Sequence, residues 1–293
     1  MSVNSGGTLV GRVALVTGAT SGIGREVARG LAQQGATTIV VGRGEGRAAR
    51  VASEIAQATG NSRIEGLRID DLAALADTRE LAATVLDRYP ALHILVNNAG
   101  AYFARRETTP DGLERTFALN VLSPYLLTTL LVPRLVASGP ARVVNVASAA
   151  HEGAHADLSD LQSSRKYSGF RVYGASKLEL IWWTREFARR LDGKGVTVNA
   201  VHPGFVRSGF GLNNKGGTAF VIRILGRLFG RSTVRGADTP TYVASAPEFA
   251  SITGGYFADR KPRPGSTESQ DLSKARLLVD ACAQLSGAPP PAG

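Results

Sequence analysis

Cysteine is nearly absent: the one thiol, Cys282, lies near the C-terminus of a 293-residue chain. No intrachain disulfide can form, no cysteine zinc spacing exists, and a reducing cytoplasm suits such a composition. The opening stretch, MSVNSGGTLVGRVALVTG, lacks the basic-then-apolar pattern of a secretory leader. No apolar run approaches the roughly 20 residues that cross a bilayer. Acidic residues are outnumbered, 24 against 34 basic ones, which leaves a formal charge of +10. The arginines are spread along the chain and no basic run interleaves with aromatics. The excess therefore reads as a solvated surface, and no nucleic-acid partner is expected. A cytoplasmic protein is expected.

What remains is ordinary globular material, 43% hydrophobic and 20% charged, enough for one well-buried domain. Apolar, β-branched runs fall at 12–18, 36–42, 62–70, 92–100, 141–148 and 195–204. Amphipathic stretches alternate with them at 22–34, 45–59, 73–88, 113–137 and 174–191. Near-continuous apolar strands suit a parallel sheet covered on both faces. The expectation is an α/β fold: one doubly wound Rossmann-type domain over 1–293, with about seven mainly parallel strands and helices on both faces. Residues 1–10 read as a flexible N-terminus. Residues 262–293 read as a C-terminal extension with one helix at 271–285 and a frayed Pro-rich end. Two irregular insertions stand out, 151–172 and 209–236. Within 220–231, Arg223, Arg227 and Arg231 oppose Ile222, Ile224, Leu225, Leu228 and Phe229, a basic amphipathic pattern. It fits a surface helix, a substrate lid or a membrane-surface contact.

Three stretches carry chemistry. In VTGATSGIG (16–24), Gly18, Gly22 and Gly24 let the backbone turn tightly and approach a pyrophosphate, which a helix N-terminus can then hold. In VVGRGEGR, Gly42 and Arg43 stand where an NAD site keeps a carboxylate for the ribose 2′-OH. With no carboxylate to repel a 2′-phosphate and a guanidinium to grip it, NADP(H) is the expected cofactor; Arg25 and Arg47 are second candidates. In VYGASK (172–177), Tyr173 and Lys177 are one helical turn apart and share a face. Only six lysines occur among the 34 basic residues, yet this position uses one. Making a phenol of pKa about 10 a base at neutral pH requires roughly 4 kcal/mol. A cation about 5 Å away supplies roughly 3 kcal/mol at an effective dielectric of 20.

TGATSGIG, NNAG (97–100), LNV around Asn120, VNVAS ending in Ser148, YGASK and HPGFVRS (202–208) occur in one order. From about residue 11 to 258 the chain thereby resembles the short-chain dehydrogenases/reductases. RVVNVASAAH, the 25-residue gap from Ser148 to Tyr173 and GGYF (254–257) resemble the retinol dehydrogenase-like branch. The resemblance implies a tetrad: Tyr173 exchanging a proton with the substrate oxygen, Ser148 hydrogen-bonding that oxygen, Lys177 holding the nicotinamide ribose, and Asn120 organising a water near Lys177. It implies cofactor contacts by Gly18, Thr20, Ser21, Gly22, Ile23 and Gly24 in the first turn, and by Asp71 and Leu72 at the adenine. Asn98, Ala99 and Gly100 would line the cofactor, as would Pro203 and Gly204, with Val206 and Ser208 at the carboxamide. Ser208 stands where the family often has Thr.

The expected activity is NADP(H)-dependent hydride transfer on an alcohol/carbonyl pair, with no metal. Tyr102, Phe103, Phe205, Phe210 and Phe220 predict an apolar pocket, hence a lipophilic substrate. Alternatives are a non-catalytic NADP(H)-sensing protein on the same fold, or a double-bond reductase of the protochlorophyllide reductase type, whose expected cysteine is missing. Helices 113–137 and 174–191 could pair two copies, with Trp182 and Trp183 at that face or in the core, so monomer and homodimer both stand. His202 reads as structural in its turn, and His151 as a border of the substrate pocket.

Overall fold

Each of the expected apolar runs forms a strand in the computed structural model, which describes residues 8–204 and 232–292. The strands are β1 (Val13–Val16), β2 (Thr37–Arg43), β3 (Ile64–Ile69), β4 (Ile94–Asn97), β5 (Ala141–Val146), β6 (Val196–His202), β7 (Tyr256–Ala258) and β8 (Lys261–Arg263). They form one sheet in the order β3-β2-β1-β4-β5-β6-β7-β8. β1 to β7 run parallel and β8 returns antiparallel. The chain winds outward from β1 in both directions, so the β1/β4 boundary is the topological switch point, where such sheets bind ligands.

Helices cover both faces: α1 (Gly22–Gln33), α2 (Arg47–Thr59), α3 (Leu75–Arg88), α4 (Arg115–Ala137), α5 (Gly169–Arg190), α6 (Thr233–Ser245) and α7 (Leu272–Ser286). The central strands β1, β4, β5 and β6 are largely apolar because both their faces are buried, whereas the edge strands β3 and β8 carry exposed Arg68, Lys261 and Arg263. In β1, Leu15 joins the core with α3, α4, α5 and α7, while Ala14 and Val16 join the core with α1, α2 and α6. Helix α4 is long and apolar enough, by length and composition, to cross a membrane, but 78% of its apolar window is buried inside the protein. It is a core helix of the first layer.

The sheet has eight strands where about seven are expected. The edge hairpin turns on Asp259 and Arg260, both at positive φ, 52° and 60°. That two-residue turn normally announces itself by Asn-Gly or Asp-Gly. Here tertiary contacts hold Arg260 instead: its backbone N–H donates to Thr239 Oγ1 at 3.2 Å, its guanidinium pairs with Asp238 and lies 4.9 Å from the Tyr242 ring centroid. Strand β8 also crosses residue 262, the expected start of the extension.

The far C-terminus is docked rather than frayed. Ala288 is buried and its carbonyl accepts from Tyr125 Oη at 3.0 Å, while Lys194 reaches the Ala292 carbonyl. At the other end Leu9 is buried and its N–H donates to the Gln34 carbonyl at 2.9 Å, so residues 8–10 are anchored. The expectations for 1–7, for Val206 and Ser208, for Phe205, Phe210 and Phe220, and for the 220–231 helix lie outside the described residues.

Candidate active site

The glycine turn joins β1 to α1. Gly18 and Gly22 adopt φ of +62° and +59°, which disfavours any side chain. At Gly24 a Cβ would lie 2.6 Å from the Gly18 carbonyl oxygen and 2.4 Å from Asn98 Nδ2, so glycine alone lets the helix start close to the strand. Ser21 is the N-cap, but its side chain accepts no capping hydrogen bond, and the first turn carries no carboxylate. The N–H groups around Ile23 are thus left to an anion, which is the donor set a pyrophosphate needs. Beside the turn, a Cβ at Gly42 would fall 2.0 Å from Thr20 Cγ2. The position that carries a carboxylate in NAD sites is closed here by Thr20. Arg43 and Arg47 are exposed and have no ion-pair partner among the described residues, whereas Arg25 is tied to Glu54 at 2.8 Å. These residues fit a dinucleotide.

The end of β4 is fixed by a residue that the pattern reading passes over. Thr17 Oγ1, buried at the end of β1, accepts from the Asn98 and Ala99 N–H groups at 3.0 and 3.1 Å. Asn98 Nδ2 donates back to the Thr17 carbonyl at 2.9 Å. Asn97 points the other way, donating to Thr128 Oγ1 and Asn145 Oδ1 at 3.0 and 2.8 Å, so the first asparagine of NNAG belongs to the core. Gly100 brings its backbone against both Asn120 and Lys177: a Cβ there would lie 3.2 Å from Asn120 Oδ1 and 3.2 Å from Lys177 Nζ.

Ser148, Tyr173, Lys177 and Asn120 come together beyond the carboxyl ends of β4 and β5. Tyr173 and Lys177 stand on α5, and the Lys177 Nζ lies 5.7 Å from the Tyr173 ring centroid. Lys177 is buried and donates to the Val146 carbonyl at 2.9 Å, two residues before Ser148. Ser148 caps a short 3-10 turn, its Oγ accepting from the Ala150 N–H at 3.2 Å, and it hydrogen-bonds the Tyr173 side chain. Asn120 lies in a π-helical turn, Ala118–Leu122, inside α4. Such bulges often mark functional positions in helices. Its amide is fully used, accepting from the Ala101 N–H at 2.9 Å and donating to the Ala101 carbonyl and Ser176 Oγ, each at 3.0 Å.

Burial pushes the Tyr173 phenol up to about 12, and the Ser148 hydrogen bond offsets only part of that. Burial also lowers the Lys177 ammonium to about 8. The sequence spacing shows the lysine's attraction, while the packed interior adds the desolvation of both partners. Burial therefore favours the neutral phenol of Tyr173 at pH 7.

The remaining expected residues spread around this centre. Asp71 lies two residues beyond β3, but its carboxylate is engaged with the Ala73 N–H at 3.0 Å and with Arg115, and Leu72 is buried. Pro203 and Gly204 follow β6, Gly204 at φ +82°. His202 Nδ1 accepts from the Ala149 N–H at 3.2 Å, the structural part expected of it. His151, expected at the border of the substrate pocket, is fully buried with both ring nitrogens engaged. Trp182 and Trp183 are core residues, and Cys282 is buried in α7 with its thiol pushed up by burial. Phe103 is buried under the Arg115 guanidinium, 5.6 Å from its ring centroid. Tyr102 packs edge-on to Tyr173, centroids 6.3 Å apart, and to Phe170 at 5.7 Å. Phe170, 70% exposed, extends that aromatic wall; lying inside the irregular insertion, it had no periodic signal. A cavity of about 310 Å³ lies at β3 and α3, away from Tyr173.

The comparisons agree with this geometry. The short chain dehydrogenase family model matches residues 12–215. Human retinol dehydrogenase 13 is 38% identical over 285 residues, covering 96% of this chain and 86% of that protein. The crystal structure of an uncharacterised protein from Mycobacterium paratuberculosis superposes with a TM-score of 0.78 at 27% identity, covering 99% of each chain. The Pseudomonas aeruginosa RhlG/NADP active-site complex does so at 0.66 and 31%, covering 85% of this chain and 94% of that one. With its doubly wound sheet and its Ser, Tyr and Lys gathered at the switch-point end, the chain belongs to the short-chain dehydrogenase/reductase family of oxidoreductases, on its retinol dehydrogenase-like side.

Proposed function

We propose that this protein is an NADP(H)-dependent reductase of lipophilic carbonyl compounds, with Tyr173 as proton donor. The observation that carries the reading is the pairing of a neutral, Ser148-bonded Tyr173 with a buried Lys177 one turn away. The glycine turn and Gly100 would hold a nicotinamide dinucleotide, which would supply the hydride for the carbonyl carbon or accept it in the reverse direction. Ser148 Oγ and the Tyr173 hydroxyl hold the carbonyl oxygen, and Tyr173 passes its proton to that oxygen as it gains charge. Lys177, 5.7 Å from the Tyr173 ring centroid, lies close enough to stabilise the tyrosinate left behind and would hold the cofactor ribose. Asn120, whose own amide is spent on Ala101 and Ser176, shapes the space around Lys177.

Arg43 and Arg47, unpaired among the described residues beside the closed Gly42 position, support NADP(H) over NAD(H), as does the RhlG/NADP neighbour. Roles for Asp71, Leu72, Pro203, Gly204, Val206 and Ser208 at the cofactor belong to the same proposal. The Tyr102–Phe170 wall beside Tyr173 and the retinol dehydrogenase relatives support an apolar substrate. Helix α7 packs over α5, with Trp182 Nε1 donating to the Glu268 carbonyl at 2.7 Å. That cover favours a monomer over pairing through α4 and α5. A cytoplasmic setting and a membrane-surface contact through 220–231 rest on sequence pattern alone; localisation of a tagged full chain and sedimentation with anionic vesicles check them.

The test is NADPH and NADH oxidation against apolar and polar carbonyls, wild type beside Tyr173→Phe. NADPH-preferring turnover that favours apolar carbonyls and falls roughly 10²–10⁴-fold in the variant is expected, with NADPH binding retained. Turnover that survives in the variant would remove Tyr173 as donor.

A further inference from the structure

Behind Ser148 stands a side chain that the mechanism above does not use. His151 is fully buried at the end of the 3-10 turn that Ser148 caps. Its Nδ1 lies 2.7 Å from the Ser148 carbonyl oxygen, and its Nε2 lies 3.2 Å from the Ser266 backbone nitrogen. The Ser266 N–H is a donor, so Nε2 must offer a lone pair. The proton is therefore on Nδ1, donating to the Ser148 carbonyl. One neutral tautomer satisfies both bonds.

The two anchors belong to different parts of the chain. Ser148 follows β5, while Ser266 opens the segment leading to α7. That segment is pinned to α5, the helix of Tyr173 and Lys177, by Arg185 donating to the Pro264 carbonyl at 3.1 Å and Trp182 to the Glu268 carbonyl. Gly265 lets the segment pass: its φ is +72°, and a Cβ there would lie 2.6 Å from Ser269 Oγ and 3.4 Å from His151 Nε2. The Tyr256 ring of β7 closes the remaining side, its centroid 4.8 Å from the imidazole's.

We propose that His151, as the Nδ1–H tautomer, is a positioning residue that sets the Ser148 backbone and couples it to the C-terminal segment at Ser266. This rests on the reading of Ser148 as the hydroxyl that holds the substrate oxygen. Protonating Nε2 would set two donors face to face across the Ser266 contact and pull the imidazole away from Ser148. Burial lowers the imidazole pKa, opposed by its bond to Ser148 and by Glu152, and helped by Arg185 of α5. From β7 the facing group is Tyr256, and from the C-terminal segment only the Gly265 and Ser266 backbone. The neutral form therefore persists below the ordinary histidine range, and the coupling fails only at lower pH.

Two substitutions separate the two bonds. In His151→Asn the amide N–H can take the place of Nδ1–H towards Ser148. In His151→Gln the longer side chain can offer its oxygen towards Ser266 and loses the Ser148 donor. With NADPH and nonanal as probe, His151→Gln is expected to lower kcat roughly tenfold with the KM for NADPH unchanged, and His151→Asn to stay within threefold of wild type. The wild-type fall in kcat at acid pH is expected to flatten in His151→Asn. A merely structural histidine would lower the melting temperature in both and leave that kcat order and pH limb unmoved, which overturns the inference. Nitrogen NMR of the wild-type imidazole, with or without turnover, is expected to show Nδ1 protonated and Nε2 bare at pH 7; the reverse also overturns it. Ser148→Ala runs alongside. Activity lost there but intact in His151→Gln overturns this inference alone, and activity retained in Ser148→Ala removes the reading beneath it as well.

Discussion

The folded protein shows something at Gly42 that side-chain chemistry alone would miss. Gly42 is usually read as an absence of carboxylate, but in the folded protein it is also a lack of room, because Thr20 Cγ2 lies 2.0 Å from any Cβ there. Adding an aspartate would force the Thr20 side chain out of its place. Arg43 is exposed with no ion-pair partner among the described residues, whereas Arg25, the nearer guanidinium in sequence to the turn, is paired with Glu54. Replacing Arg43 by Ala is therefore expected to raise the KM for NADPH about 10- to 100-fold, the loss of one charge-assisted hydrogen bond of roughly 1.5–3 kcal/mol. The KM for NADH should barely move. Steady-state kinetics with both cofactors measures the difference, and equal losses would mean that Arg43 acts on the fold rather than on the 2′-phosphate.

Among the elements, α7 has the largest effect on how the others are presented. It buries Ala275, Leu278, Val279 and Cys282 completely and lies over the Trp182 side of α5. At about 1.5–3 kcal/mol for each large apolar side chain removed from water, its apolar face accounts for several kcal/mol. That is a large share of the roughly 5–15 kcal/mol that separates folded from unfolded domains. A chain ending at 271 is expected to melt at least 10 °C lower and to self-associate through the exposed α5 face, as read by calorimetry and size-exclusion chromatography. If it stays monomeric and equally stable, α7 is an ornament on a complete core. The β7–β8 hairpin carries a related lesson. Its turn lies at positive φ without glycine because Asp238, Thr239 and Tyr242 hold Arg260 from outside.

At the scale of the molecule, buried ionisable groups set the response to pH. Glu179 of α5 is buried near Glu114, and desolvation with that neighbouring charge raises its carboxyl to about 8. A carboxyl raised in the folded state holds its proton more tightly there, so stability falls as pH rises from the ordinary glutamate range through 8. Lys177, lowered to about 8, acts in the next window: the unfolded chain binds its proton more tightly, so stability recovers from pH 8 towards 10.5. The lowered imidazole of His151 makes stability fall again below its ordinary value of 6.5. The melting temperature is thus expected to dip near pH 8. Glu179→Gln should raise it there by several degrees, at about 2–4 °C per kcal/mol for a chain of this size, and change it little at pH 5. Calorimetry across pH 5–10 checks both, and a flat profile in the wild type would mean that Glu179 is ionised and solvated.

The sequence by itself determined the layered fold and the chemistry-bearing types. Strands buried on both faces must be apolar along their whole length, and a turn that meets a phosphate must be glycine-rich, so β1 to β6, Gly18, Gly22, Gly24, Tyr173 and Lys177 are legible as local patterns. Their grouping with Ser148 and Asn120 was legible only through the family resemblance. Tertiary structure alone decided what depends on partners distant in the chain. Thr17 holding the end of β4, the π-turn around Asn120, Phe170 beside Tyr102, and His151 between Ser148 and Ser266 leave no periodic mark, because each is defined by a contact with residues tens of positions away. The same holds for proton affinity. Sequence places a cation beside a phenol, but desolvation is a property of the packed interior, and it favours the neutral form of Tyr173.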